Sequence, residues 1–390
     1  MKLIAQCTVA LLLCVVCASG QPQPPVASPK RVLIISIDGG RPDVLLRANT
    51  PNLRELLAAG SFTFWARTTE MANTLPSHTS MITGVTPQKH GINFNKDVPE
   101  EELRYPNYPT IFELAKKKGY STALAAGKSK FIALCRPKTV DYPLMPSAKA
   151  SFTDAEVATK ASEGLREHQP QVMLVHFAGG DKAGHAIGWG SEPQIEALEE
   201  IDKGIGKVIG TLKELDLYET TLIIVTADHG GAARSHGQGD VRARHIPWIA
   251  VGPGIRKNLD LTIFKDLVVN TEDTFATACA YLGITLGEDI DGKPITQMYD
   301  GAELMQDIAS PKAKPKPATR PAASGTNAAI NKSNFTDLLK NLSYAHEGLN
   351  ANVIGGKLKP NSNISPEFAS GADICSGIPQ PSDKTLPGWN

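Results

Sequence analysis

The chain has 390 residues, 40 basic and 40 acidic side chains, 41% hydrophobic residues and 21% charged ones. That composition is globular, with enough chain to bury a large core. A formal charge of zero lacks the basic excess with which proteins package nucleic acid or coat anionic membranes.

In chain order, residues 1–20 come first: Lys2, the apolar run Val9 to Val16, then Ala18-Ser19-Gly20. A charged start, a short apolar stretch and a small-x-small site predict a cleavable signal peptide, hence a secreted or periplasmic protein. The run is too short for a spanning helix, which needs about 20 apolar residues. Beyond the leader only Cys135, Cys279 and Cys375 remain, with no Cys-x-x-Cys pair among them. At most one disulfide is expected, and thiolate zinc sites or thioredoxin-type chemistry are not.

Residues 28–305 alternate between two patterns. Short β-branched runs at Val32–Ile37, Ser121–Ala126, Val172–Phe177, Leu222–Thr226 and Ile246–Val251 predict buried strands of a mainly parallel sheet. Helical periodicity occupies Pro51–Ala59, Thr110–Lys118, Ala155–His168, Gln194–Leu215 and Thr271–Leu282. Strands alternating with helices predict an α/β domain with helices on both faces of the sheet. Residues 308–326, rich in Pro, Ala and Lys, read as a stiff, solvated linker. Residues 327–390 read as a tail with one short helix near Phe335–Ala345 and no apolar C-terminal anchor.

In open α/β sheets ligands bind beyond the C-terminal ends of the strands, and there this chain concentrates metal-ligand residue types. The first strand runs into Asp38-Gly39-Gly40, the third is followed by Asp181 and His185, the fourth ends in Asp228-His229, and Ser235-His236-Gly237 precedes the fifth. Any one of these alone reads as a capping Asp or a loop His. Together, three Asp and three His suit two cations with positions left open for substrate. Mixed carboxylate and imidazole favours Zn²⁺, with Mn²⁺ or Fe as alternatives, and excludes an all-oxygen calcium cage.

The segment Asn73-Thr74-Leu75-Pro76-Ser77-His78 offers a nucleophile. Pro76 suits the first position of a helix, which puts Thr74 just before the N-terminus, where backbone N–H groups favour an anion. Without the metal ligands nearby, Thr74 would read as a plain N-cap.

The set Asp38-Gly39, Thr74-Leu75-Pro76-Ser77-His78, Thr83-Gly84 with His90-Gly91-Ile92, Asp181 with Gly184-His185, Asp228-His229-Gly230 and His236-Gly237 resembles, in order, the motifs of the alkaline phosphatase superfamily. The nucleotide pyrophosphatase/phosphodiesterase branch is the most similar, over roughly residues 31–254. The resemblance implies a three-layer α/β fold and a phosphodiesterase or pyrophosphatase working through a phospho-threonine. It implies one metal on Asp181, His185 and His236, and a second on Asp38, Asp228 and His229 with Thr74 adjoining. His245 competes with His236 for the last ligand place. Asn95, 21 positions after Thr74, would donate to a phosphoryl oxygen. Sulfatases need Cys or Ser at position 74 and Arg at 78, where this chain has Thr74 and His78.

Two alternatives stand beside the diesterase reading. Gly127-Lys128-Ser129-Lys130 resembles the paired lysines with which phosphonoacetate hydrolases hold a substrate carboxylate, so Lys128 and Lys130 are candidate substrate-binding residues for a phosphonate or phosphomonoester hydrolase. From another class, the chain could be a non-catalytic secreted metal-binding protein. The implied partner in the enzymatic readings is a small phosphate ester, with no nucleic acid and no membrane anchor.

Overall fold

The computed structural model describes residues 30–237 and 240–299, with two further backbone strands at 351–354 and 357–360. The expected leader, linker and tail helix lie outside the described residues. An eight-stranded sheet is formed by β1 (Arg31–Ile37), β2 (Ser61–Arg67), β3 (Thr122–Ala126), β4 (Tyr142–Leu144), β5 (Val172–Phe177), β6 (Thr221–Thr226), β7 (His245–Val251) and β8 (Leu259–Asp260), in the order β4-β3-β5-β1-β6-β7-β2-β8. Around it lie α1 (Pro42–Arg47), α2 (Pro51–Ala59), α3 (Thr74–Thr83), α4 (Pro87–His90), α5 (Ile111–Lys117), α6 (Asp154–His168), α7 (Gly179–Ala186), α8 (Glu192–Glu214), α9 (Val241–Arg244) and α10 (Thr271–Leu282).

The core lies on both faces of the sheet because the central strands are buried throughout. Along β1, Val32 and Ile34 join a cluster with α3, α5 and α10, whereas Leu33, Ile35 and Ile37 join one with α1, α2, α6 and α8. This is the expected three-layer α/β arrangement. Helix α8 shows how the outer layers attach: Ile195, Leu198, Ile201, Ile205, Val208 and Leu212 recur at helical spacing and are buried. Each such side chain contributes roughly 1.5–3 kcal/mol. Thr110/Glu113, Thr153/Glu156 and Asn270/Asp273 form capping boxes that start α5, α6 and α10.

The five expected strands and five expected helices are present, and four features depart from expectation. β7 is antiparallel to β6: the connection between them, which includes α9, stays at the edge where β6 ends and does not cross back over a face of the sheet. The sequence reading lacked β2, β4 and β8; β2 follows α2 after the single residue Gly60. Asp181 and His185 lie on a helix, α7, which was not among the expected helices and which contains the glycines at 179, 180 and 184. Finally, α3 starts earlier than Pro76 suggested: Asn73 is the N-cap and Thr74 the first helical residue. Proline is harmless in the third position as well as the first, since no N–H in the opening turn bonds within the helix. Cys135 and Cys279 are buried and unbridged.

Candidate metal and phosphoryl site

One edge of the sheet gathers the ends of β1, β3, β5 and β6 and the start of β7. Asp38 follows β1, its N–H bonded to Phe177 O at 2.9 Å. Next comes Gly39, at φ +71°, where a Cβ would fall 2.9 Å from the Asp181 Cα; glycine there lets α7 approach. On α7, Asp181 and His185 stand one turn apart on the same face, Nε2 to Oδ1 3.4 Å. The loop after β6 supplies Asp228 and His229, and its continuation supplies His236, whose ring stacks on His229 at 3.7 Å between centroids.

Ligand atoms of Asp181, His185 and His236 lie within 4.8 Å of one another, as do those of Asp38, Asp181 and His229. Asp181 thus belongs to both groups. Asp228 flanks the second, its Oδ2 3.3 Å from His229 Nε2.

The hydrogen-bond pattern around these groups is one-sided. His185 Nδ1 donates to Arg234 O at 2.9 Å, His236 Nδ1 to Ala72 O at 2.7 Å and His229 Nδ1 to Gly230 O at 2.8 Å. With each Nδ1–H so used, each Nε2 presents a bare lone pair to the cluster. Asp38 Oδ1, Asp181 Oδ1, Asp228 Oδ2 and His229 Nε2 are buried with no hydrogen-bond partner. Four converging buried acceptors without donors suit a cation, and mixed imidazole and carboxylate is a donor set for zinc-like metals.

Lys128 stands against this cluster, its Nζ 2.6 Å from both Asp38 Oδ2 and Asp181 Oδ2 and 3.5 Å from Thr74 Oγ1. Burial opposes the Lys128 charge, but the two carboxylates raise its pKa above the usual lysine value. Burial likewise would raise Asp38, yet Lys128 and His176 hold it well below the carboxylate range. Asp228 moves the other way, pushed up by burial and then by the charge of Asp38. Burial lowers His229 to about 4.

Thr74 opens α3, a helix whose ten residues are all buried. The Leu75 N–H does not stand free for an anion, because it donates to Asn95 Oδ1 at 3.0 Å. Lys130 Nζ donates to the same oxygen at 2.8 Å. The structure therefore brings Thr74, Asn95, Lys128 and Lys130 into one connected network beside the acid cluster. His245 stays outside both ligand groups, its Nδ1 bonded to Val241 O at 3.1 Å and its ring edge-on to Trp65.

Sequence reasoning missed His176, the one polar side chain near the end of apolar β5. Fully buried, it accepts the Gly127 N–H at Nδ1 (3.3 Å) and donates from Nε2 to Asp38 Oδ2 (2.8 Å). A polar residue in an otherwise apolar central strand was the available signal, since such groups need a partner. His78, read only as part of a motif, donates from Nδ1 to Thr74 O and accepts from Ser36 Oγ, both at 2.7 Å.

A family model described as type I phosphodiesterase / nucleotide pyrophosphatase matches residues 32–246, more than half of the chain. A bis(5'-adenosyl)-triphosphatase (enpp4) of Xenopus laevis is 25% identical over 244 residues, covering 58% of this chain and 53% of the relative. The Bos taurus protein of the same description is 28% identical over 219 residues, covering 52% and 48%. The chain spans about half the length of these curated relatives. Among solved structures, an inactive variant of murine ectonucleotide pyrophosphatase / phosphodiesterase 5 in complex with AMP superposes with TM-score 0.60 at 16% identity, over 70% of this chain and 100% of that one. The phosphonate monoester hydrolase of Agrobacterium radiobacter gives 0.53 at 17% identity, over 70% and 77%. These superpositions share the fold.

Proposed function

The chain belongs to the type I phosphodiesterase / nucleotide pyrophosphatase family, a branch of the alkaline phosphatase superfamily, and from that premise we propose that residues 28–305 form a two-metal hydrolase cleaving phosphate diesters or pyrophosphates through a phospho-threonine. The observation that carries the proposal is the set of buried, donor-less acceptors on Asp38, Asp181, Asp228 and His229, gathered around a lysine that reaches the hydroxyl of Thr74.

Asp181, His185 and His236 would hold one divalent ion, and Asp38, Asp228 and His229 the other, with Thr74 adjoining. Zn²⁺ suits these donors, with Mn²⁺ or Fe as alternatives. When bound, such ions supply Lewis-acid stabilisation of charge on the attacking and leaving oxygens.

The rest falls to the chain's own residues. Thr74 Oγ1 loses its proton to solvent and forms a bond to phosphorus as the bond from phosphorus to the leaving oxygen breaks, the leaving group departing with the electron pair and taking a proton from solvent; water then cleaves the phospho-threonine, giving one proton to Oγ1 and its oxygen to the released phosphate. Asn95 has its carbonyl end tied to Leu75 N–H and Lys130, which leaves Nδ2 to donate to a phosphoryl oxygen without titrating. Lys128, whose Nζ lies 3.5 Å from Thr74 Oγ1, is placed to donate to that oxygen or to a phosphoryl oxygen bound beside it. His78 fixes the Thr74 carbonyl, and His176 fixes Asp38.

A second reading has one specific observation in its favour: two lysines stand beside Thr74 and Asn95, Lys128 reaching Thr74 Oγ1 and Lys130 reaching Asn95 Oδ1. Such a pair of cationic side chains suits a substrate with an additional anionic group, such as a phosphonate bearing a carboxylate or a phosphomonoester. The deciding experiment compares a phosphate diester, a phosphomonoester, a sulfate ester and phosphonoacetate in parallel on Zn²⁺-loaded protein. Highest kcat/KM on the diester is expected; highest on phosphonoacetate or the monoester would install the second reading, and stoichiometric metal with no turnover of any of the four would indicate a binding protein. For location we propose secretion or export to the periplasm, supported by the leader-like residues 1–20. Among the described residues no helix is long and apolar enough to cross a membrane.

A further inference from the structure

Trp189 lies between α7 and α8, and no part of the phosphoryl chemistry calls for it, yet it is fully buried and touches three segments that carry candidate ligands. Its indole N–H donates to Gly39 O at 3.0 Å, in the turn that follows Asp38. Its backbone N–H donates to Ala233 O at 2.7 Å, in the loop that leads to His236. Its ring stands edge-on to both imidazoles of one ligand group, with centroids 5.2 Å from His185 and 5.9 Å from His236.

The packing around the indole is built to fit. A Cβ at Gly184, one residue before His185, would fall 2.7 Å from the ring, and a Cβ at Gly231, two residues after His229, would fall closer still. Both glycines yield their side-chain volume to the indole. Each flanking residue, Gly188 at φ +131° and Gly190 at φ +85°, adopts backbone torsions that other residues rarely take.

We propose that Trp189 is a positioning residue that holds the Asp38 turn, helix α7 and the His236 loop in mutual register, and so sets the geometry of the Asp181–His185–His236 metal position. The physical reason is that Asp181 and His185 on α7 meet His236 from a separate loop, beside the Asp38 turn, and a rigid group that touches all three segments fixes their spacing. A large planar side chain with a single fixed donor does this with little conformational freedom to lose. The inference rests on the reading of His185 and His236 as ligands.

The test uses full-length protein loaded with Zn²⁺. Trp189→Phe keeps an apolar ring but removes the donor to Gly39. Trp248→Phe is the matched control, because Trp248 is equally buried and its indole N–H donates to Thr274 Oγ1 at 3.1 Å, on α10, which carries none of the candidate ligands. Competition with a chromophoric chelator reads the affinity of each ion, and steady-state kinetics on a diester read kcat and KM separately.

The expected result is at least about tenfold weaker binding of one of the two ions in Trp189→Phe, with kcat reduced about tenfold or more and KM changed much less. Trp248→Phe should bind both ions within about twofold of wild type even if its Tm falls as far. Trp189→Tyr, whose hydroxyl can point toward Gly39, should recover part of the loss. Wild-type metal affinity in Trp189→Phe, or an equal loss in Trp248→Phe, would overturn the proposal. So would failure of both Trp189 variants to fold while Trp248→Phe folds, because the role would then be general core packing. Wild-type protein that binds no metal would instead overturn the two-metal reading beneath it.

Discussion

His236 Nε2 lies 3.1 Å from His185 Nε2 across 51 positions of sequence. Each ring gives its Nδ1–H to a backbone carbonyl, so the two nitrogens meet as acceptors, an unfavourable pair until a cation stands between them. Metal removal is therefore expected to abolish activity, and Zn²⁺ to restore it, with two ions per chain by elemental analysis. Because the folded chain alone assembles the ligands, free metal at a hundredfold excess over Kd should stabilise it by about 2.7 kcal/mol for each ion bound. A Tm unchanged by EDTA, or fewer than two ions per chain, would contradict this.

Thr74→Ala removes the proposed nucleophile from the opening turn of α3 while leaving the donor-less acceptors in place. Turnover of bis-p-nitrophenyl phosphate should fall by at least about 10³-fold with the metal content unchanged, and Thr74→Ser should retain a phospho-enzyme detectable by mass spectrometry after acid quench. Wild-type turnover in Thr74→Ala would remove Thr74 from the chemistry.

Asn95 is held by Leu75 N–H and Lys130. Asn95→Ala should lower kcat by about 10²-fold, in line with the loss of one preorganised donor to a transition-state oxygen. A change confined to KM would show that the amide serves binding alone.

Lys130 hydrogen-bonds Asn95 Oδ1, and burial followed by the nearby Lys128 charge lowers its pKa. Lys130→Ala should cost a plain diester little in kcat/KM. A substrate with a second anionic group should lose about tenfold, equivalent to 1.4 kcal/mol. Equal losses on both substrates would tie Lys130 to Asn95 alone.

Away from the site, burial raises Glu272 to about 7 and Asp273 to about 6, both in the first turn of α10. A carboxyl raised in the folded state holds its proton there while the unfolded chain has released it. Folding stability should accordingly fall as pH rises from about 4.5 through 7, by up to about 3 kcal/mol for Glu272. Glu272→Gln should flatten that slope and raise Tm at pH 8 relative to wild type. Parallel thermal melts at pH 5 and pH 8 check this, and an unchanged slope would assign the dependence to other groups.

Much of the fold was legible because local pattern and tertiary role agree where β1, β3, β5 and β6 are buried on both faces and α8 repeats its apolar residues at helical spacing. β2 was not legible, since it begins one residue after α2 ends. Helix α7 was hidden by its glycines, whose reason is tertiary: Gly180 lies where a Cβ would strike Asp38 O, and Gly184 where it would strike Trp189.

By itself the sequence determined which residue types stand at the strand ends, and hence that three Asp and three His share one edge of an α/β sheet. Strand period and connection order are local quantities, and they are enough to place residues on an edge. Only the tertiary structure decided that Asp181 lies close both to His185 and His236 and to Asp38 and His229, that Lys128 lies between Asp38 and Asp181, that His176 holds Asp38, and that Trp189 touches the Asp38 turn, α7 and the loop that leads to His236. Each of these depends on distances of a few ångströms between residues far apart in the chain. Such distances are set by how helices and loops pack on the sheet, which no local pattern encodes.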